Sequence, residues 1–216
     1  MVLRRDIIGH MDVFLHVCCA DCLLRFLVGI GYPLPATVQP WVRNYRDLPV
    51  KNEKMPRFTL IFYNPNIYPK AEYQARLQAV KKLAANCQLP LHVLDYRPQD
   101  YFALPTSQQQ FTQAAYLPAR CLACQDQRLQ TTLEYIQTKS TSTINFSTTM
   151  LASRYLDHQQ IRRLGLQLAQ NQHAQFWQPE FLTPPDSLHT SGYYKQNYCG
   201  CFFSLGELTR RKYQSL

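Results

Sequence analysis

Val13-Phe14-Leu15-His16-Val17-Cys18-Cys19-Ala20-Asp21-Cys22 is the stretch on which the reading of this chain turns. Its first five residues form a short apolar run, the pattern of a buried strand. The run ends at the cysteines, and a helical pattern follows to about Ile30, stopped by Gly31 and Pro33. The same rhythm recurs downstream. Phe58-Thr59-Leu60-Ile61-Phe62-Tyr63 reads as a second strand, ended by Asn64-Pro65-Asn66, and residues 71–86 have helical spacing. Leu91-His92-Val93-Leu94 is a third strand, and 98–117 reads as a loop with one helical turn. A helix is expected from Cys121 to about Thr138, with Leu122, Leu129, Leu133 and Ile136 on its apolar side. Thr143-Ile144-Asn145-Phe146-Ser147 is a fourth strand, 157–170 an amphipathic helix, and Gln175-Phe176-Trp177 a short fifth strand.

Strands alternating with helices predict an α/β fold, a three-layer parallel sheet in one domain over 1–216. In such sheets ligands bind beyond the carboxyl ends of the strands. Cys18-Cys19, Asn64-Pro65-Asn66 and Ser147-Thr148-Thr149 each follow a strand, so they are expected on one edge. Residues 33–56 break the rhythm with prolines and charges and no apolar period. They read as an irregular insertion, a candidate mobile basic loop. The segment 192–216 carries Cys199-Gly200-Cys201 and is expected to end in a basic helix with Arg210, Arg211 and Lys212.

Hydrophobic residues make up 46% of the 216 and charged residues 17%, a globular rather than disordered composition. The formal net charge of +9 favours a polyanionic partner, nucleic acid before anionic membrane, although solubility alone would also account for it. No apolar run approaches the roughly 20 residues that span a bilayer. The first residues lack the apolar centre of a secretory signal, so a reducing, cytoplasmic compartment is expected.

Eight cysteines are the unusual number. Cys18, Cys19 and Cys22 sit together, Cys121 and Cys124 form a C-x-x-C, and Cys199 and Cys201 form a C-x-C, while Cys87 stands alone as a packing residue. Thiolates bind soft or borderline metals, and four of them satisfy zinc or an iron–sulfur cluster. Adjacent Cys18 and Cys19 make a poor zinc knuckle and suit a cluster, where each thiolate reaches its own iron. The C-x-C could close a strained disulfide, exchange electrons as a dithiol, or bind a second metal. So many clustered thiols exceed the needs of one structural zinc and argue for redox chemistry.

Beyond single motifs, an ordered set of them carries a resemblance. The set runs from His16-Val17-Cys18-Cys19-Ala20-Asp21-Cys22 through Tyr63-Asn64-Pro65-Asn66-Ile67-Tyr68-Pro69 and Glu72-Tyr73-x-x-Arg76. It continues with Arg120-Cys121-Leu122-Ala123-Cys124, Arg128-Leu129, Phe146-Ser147-Thr148-Thr149-Met150-Leu151 and Ser153-x-Tyr155. It closes with Tyr194-Lys195-Gln196-Asn197-Tyr198-Cys199-Gly200-Cys201. In this order the motifs resemble the cobalamin-independent, QueH type of epoxyqueuosine reductase from about residue 13 to 205. The resemblance implies a Rossmann-like fold of the nucleotide-hydrolase and PP-loop kind and a metal-binding C-terminal segment. It implies a 4Fe–4S cluster, no cobalamin, and reduction of epoxyqueuosine at the wobble position of a tRNA anticodon to queuosine. It implies Cys18, Cys19, Cys121 and Cys124 as cluster ligands and Cys199 and Cys201 as a redox-active pair. Cys22 joins the catalytic set and could serve a second mononuclear iron with Cys199. Where the family usually shows proline, this chain has Asp21, which could ligate that iron or cap the helix. The stretch 33–56 also looks longer than in compact members.

The partners implied are that tRNA and an external electron donor. Asn64, Asn66, Arg128 and Thr148 are candidate substrate-binding residues, and Arg162, Arg163, Arg210, Arg211 and Lys212 are candidates for phosphate contact. Protons could come from a thiol, His16, Tyr63 or water, although a histidine inside an apolar run is more often a hydrogen-bonded core residue. Arg76 could be a salt-bridge or a phosphate residue, and Ser147-Thr148-Thr149 could be only a helix cap. Three rival functions stand beside this one. The first is a zinc-stabilised RNA-binding module without redox activity. The second is a fold-related tRNA thiolase using ATP, which lacks its glycine-rich phosphate loop here. The third is a simple dithiol oxidoreductase, which would leave Cys18, Cys19 and Cys121 idle.

Overall fold

β1 (Asp12–His16) runs through the middle of the sheet. It pairs in parallel with β2 (Arg57–Phe62) on one side and with β4 (Asn145–Thr148) on the other. β3 (Leu91–Val93) adds outside β2 and β5 (Gln175–Phe176) outside β4, giving the order β3-β2-β1-β4-β5. The chain therefore winds outward from β1, returns, and winds outward the other way. The reversal lies between β1 and β4, where the turns after the two strands diverge and leave a crevice. This is a computed structural model, and it describes residues 11–51, 55–112, 118–139, 144–196 and 198–206.

Among the described residues six α-helices accompany the strands: α1 (Ala20–Gly29), α2 (Lys70–Asn86), α3 (Pro98–Phe102), α4 (Pro105–Phe111), α5 (Pro118–Gln137) and α6 (His158–Asn171). Strand residues alternate between two cores. Val13, Leu15, Leu60 and Phe62 pack with Leu23, Leu27, Val80 and Leu83 of α1 and α2. Ile61 and Phe146 pack with Leu129, Leu133 and Ile161 of α5 and α6. Burial on both faces is why the strands read as continuous apolar runs. The expected three-layer parallel α/β sheet is thus present.

Between β3 and α5 the sequence reading needs correction. Residues 98–112 hold two helices, α3 and α4, rather than one turn in a loop. Each is too short to show a period, and each starts at a proline, which suits a first helical position because its missing N–H needs no partner there. Leu122, assigned to the apolar side of α5, is exposed near the helix's start.

Residues 33–51 are irregular, with 3-10 turns at Gln39–Trp41 and Tyr45–Asp47. They nevertheless pack closely, with Val38 and Val42 buried. The Arg43 N–H donates to His189 O at 2.9 Å and the Ser191 N–H to Trp41 O at 2.8 Å. Arg25 of α1 is fully buried and stitches the same late segment down, donating to the carbonyls of Pro185 and Leu188, each at 2.6 Å. The basic helix expected around Arg210, Arg211 and Lys212 lies outside the described residues.

Candidate active site: a thiol-lined cavity at the switch point

Cys18 leaves the end of β1, and its N–H donates to Thr149 Oγ1 at 3.2 Å, just past β4. Cys19 is the N-cap of α1, its sulfur accepting from the Cys22 N–H at 3.4 Å. Extended backbone at Cys19 followed by a helical turn brings the Cys18, Cys19 and Cys22 sulfurs within 4.8 Å of one another. Three sulfurs this close could hold a metal ion. Without a cation they cannot all be anionic. Cys18 is held well below the usual thiol range, because the Cys19 and Cys22 thiols point at its sulfur and the Arg128 guanidinium lies near. Its neighbours are pushed the other way, Cys19 to about 12, chiefly through the same sharing with Cys18.

Cys121 and Cys124 sit near the start of α5, about one turn apart on one face. Arg128 follows one turn later, buried, and donates to Asn64 Oδ1 at 2.7 Å. Asn64 in turn donates to Val17 O at 2.9 Å, so the Asn-Pro-Asn turn after β2 locks Arg128 to the end of β1. Burial opposes the charge of Arg128, and the sulfurs of Cys124, Cys18 and Cys199 outweigh it, holding its pKa above the usual value.

The C-x-C arrives from the far end of the chain and is held by tertiary contacts. Ile67 and Cys201 form an antiparallel bridge, and the Tyr68 N–H donates to Gly200 O at 2.8 Å. Arg76, buried on α2, donates to Cys199 O at 2.9 Å and to Tyr198 O at 3.2 Å. Glu72 holds Arg76 Nε at 2.6 Å and accepts from the Tyr194 hydroxyl. Gly200 has φ of +109°, and a Cβ there would stand 2.7 Å from Arg76 Nη1, so glycine is required on two counts. The pair is asymmetric. The Cys199 thiol, Ser204 and the Tyr101 hydroxyl direct hydrogen bonds at Cys201 and hold its pKa near 5, whereas Cys199 is pushed up by Cys201 and by burial.

All seven clustered cysteines line one cavity of about 70 Å³, several times the roughly 10–15 Å³ that one water needs. Asn64, Asn66 and Arg128 line it too, as expected for substrate-binding residues. Thr148 does not. Its hydroxyl caps the following 3-10 turn at the Met150 N–H and bonds His16 Nδ1 at 2.9 Å, while the next residue, Thr149, reaches Cys18. Thr148 ends the strand and caps the turn, whereas Thr149 is the first residue of the 3-10 turn, so the two hydroxyls have different partners. Asp21 faces the cavity, yet its carboxylate is taken: Oδ2 accepts from Arg25, and Oδ1 accepts from Thr190 at 2.6 Å and Tyr193 at 2.7 Å. It ties α1 to the late segment through Thr190 and Tyr193 and is not part of the compact thiol triad.

His16 is fully buried and bonded at both ring nitrogens, to Thr148 and to Tyr63 O. Burial and the Arg128 charge lower its pKa to about 3, so it stays neutral. Cys87 is a buried thiol raised to about 11 by desolvation, which fits packing. Arg162 and Arg163 lie on α6.

Other cavity residues were not singled out from the sequence. Gln196 donates to Cys19 Sγ at 2.8 Å, Tyr101 sits buried against Cys124 and Cys201, and Arg154 and Tyr155 stand at the mouth. Only Gln196 and Tyr155 carried a signal, as members of quoted motifs. Two buried acceptors on the lining, Asn66 Oδ1 and Gln196 Oε1, have no hydrogen-bond partner among the described residues, which suits the cavity to a polar guest.

A doubly wound α/β chain with thiols from three segments around one cavity at its switch point has the makings of a redox enzyme. Residues 47–207 match the family model described as epoxyqueuosine reductase QueH, a match that begins after the first cysteine motif. An epoxyqueuosine reductase QueH from Thermotoga maritima is 28% identical over 201 residues, covering 90% of this chain and 91% of that one. Another from Haemophilus influenzae is 26% identical over 204 residues, covering 91% of this chain and 73% of that one. The chain belongs to the epoxyqueuosine reductase QueH family, a family of oxidoreductases. No helix among the described residues is long and apolar enough to cross a membrane.

Proposed function

We propose that this protein reduces epoxyqueuosine at the wobble position of tRNA anticodons to queuosine, in the cytoplasm and without cobalamin. The observation that carries the reading is the convergence of seven cysteines from three distant segments on one cavity. The donor set fits an iron–sulfur centre, since it is all sulfur and includes three thiols close enough to share a cation. Cys18, Cys19, Cys121 and Cys124 would hold a 4Fe–4S cluster, with the Cys22 thiol beside it. When bound, the cluster would pass electrons one at a time into the cavity. The tight Cys18–Cys19–Cys22 spacing gives Cys22 a geometric claim equal to that of its neighbours.

The chain's own residues and water balance the reaction. Turning an epoxide into an alkene consumes two electrons and two protons and releases the oxygen as water. The Cys199–Cys201 pair, one thiolate and one thiol, supplies both electrons and one proton on closing to a disulfide, water supplies the second proton, and an external reductant then reopens the disulfide. The low pKa of Cys201 makes its sulfur the better electron donor, and the Cys199 thiol keeps a proton to give. Arg128 brings a buried positive charge to the wall, suited to charge developing on the departing oxygen. His16, neutral and bonded at both nitrogens, is not the acid.

Anaerobic purification with iron, sulfide and zinc analysis tests the cofactor. A brown protein with a broad band near ~400 nm and about four irons and four sulfides per chain is expected. A protein that stays colourless after reconstitution and carries about one zinc would favour the RNA-binding module instead.

A further inference from the structure

Among the described residues Tyr155 is the most exposed large apolar side chain, at 74%, yet it stands on the lining of the thiol cavity. It follows the 3-10 turn after β4, so it stands on the β4 side of the switch point. Among the described residues its ring meets no other aromatic ring, whereas the aromatic cluster around Phe102, Phe111, Phe202 and Phe203 is mutually packed. Beside it, Arg154 is exposed, shares the lining, and donates to Leu188 O at 2.7 Å, which fixes a positive charge at the mouth. Deeper on the same lining lie the unpartnered acceptors of Asn66 and Gln196. An uncovered aromatic face beside a cation, above a polar pocket, suits a nucleobase with its phosphate outside and its substituent inside.

We propose that Tyr155 is the stacking platform for the extruded wobble base, with Arg154 on the adjoining phosphate. This rests on the tRNA reading above. The reacting epoxide sits on a substituent of the base, so when that substituent reaches the thiols the base itself lies further out, at the depth of Tyr155. A single-stranded loop base taken out of its stack loses stacking energy, and an aromatic side chain at the mouth returns it.

The experiment uses the full-length, anaerobically reconstituted protein. KM and kcat are measured on tRNA carrying epoxyqueuosine, alongside fluorescence of an anticodon stem-loop with 2-aminopurine at the wobble position. Tyr155→Ala is expected to raise KM by about 5- to 150-fold, the range of one lost base–aromatic stack. It should also abolish quenching of the 2-aminopurine while leaving the visible absorption unchanged. Tyr155→Phe, which keeps the ring, should restore most of both signals. If wild type turns over and quenches but Tyr155→Ala matches it within about twofold, the stacking assignment is wrong and the function stands. If wild type neither binds the stem-loop nor converts the tRNA, the function falls and the stacking assignment with it.

Discussion

The two ends of the chain build their cysteine sites in opposite ways. At Cys18-Cys19-x-x-Cys22 the geometry is local: a strand ends, a cysteine caps the helix, and the next turn supplies the third sulfur. At Cys199-Gly200-Cys201 nothing local would set the shape. The loop has positive φ at its centre and takes its form from Arg76, Tyr68 and Ile67, more than a hundred residues away. The first design suits a rigid ligand set. The second suits a pair that must open and close, because its frame is a clamp on backbone carbonyls that leaves the sulfurs free to react.

Substitutions should separate these roles. Cys199→Ser is expected to lower turnover by at least about a thousandfold while leaving most of the visible absorption. Cys18→Ser should lose both together. Complete loss of the absorption in Cys199→Ser would make Cys199 a ligand and erase the contrast between the two ends.

Next in size is the clamp. Arg76→Ala strands Glu72 and two carbonyls, which should cost about 3–5 kcal/mol of stability in thermal unfolding and remove turnover by freeing the loop. Arg76→Lys should recover part of the stability and little of the activity, since an ammonium cannot bridge three acceptors with a planar fork. A stable, active Arg76→Ala would show that the loop holds its own shape.

Asp21 tests the junction between the two ends, since it joins α1 to Thr190 and Tyr193 of the late segment. Its pKa is lowered, by hydrogen bonds from Thr190 and Tyr193 and by Arg25, against the opposing effect of burial. A depressed carboxyl pKa stabilises the fold above its unfolded value near 3.8 and loses that contribution as pH falls through the folded value. Asp21→Asn should therefore cost roughly 1.5–3 kcal/mol at neutral pH and show a weaker acid destabilisation than wild type below about pH 4. Parallel melting curves across pH for the two proteins would remove Asp21 from this role. The smallest effect should be that of Gly200→Ala, about 1–3 kcal/mol of backbone strain with Arg76 displaced.

The same contrast explains what was legible in the sequence. Every strand, and the placing of Cys18-Cys19, Asn64-Pro65-Asn66 and Ser147-Thr148-Thr149 on one edge, follows from local apolar runs and the rule for parallel sheets. The misses are residues whose role comes from distant partners. Arg25 sits in an apolar helix and gives no sign that carbonyls 160 residues on will receive it. Residues 33–51 looked loose because the chain that covers them, around His189 to Ser191, lies far along the sequence. Helices α3 and α4 are too short to show a period, so the sequence around Tyr101 has the look of a loop. Thr148 and Thr149 are chemically identical neighbours, and only the point where the strand gives way to the 3-10 turn tells which one bonds Cys18.

The most direct test of the central claim is nucleoside mass analysis of epoxyqueuosine-containing tRNA after anaerobic incubation with the reconstituted protein and a reductant. The account predicts conversion to queuosine, seen as loss of one oxygen, by wild type and not by Cys199→Ser. Unchanged epoxyqueuosine with a cluster-loaded, reduced wild type, or equal conversion by Cys199→Ser, would contradict it.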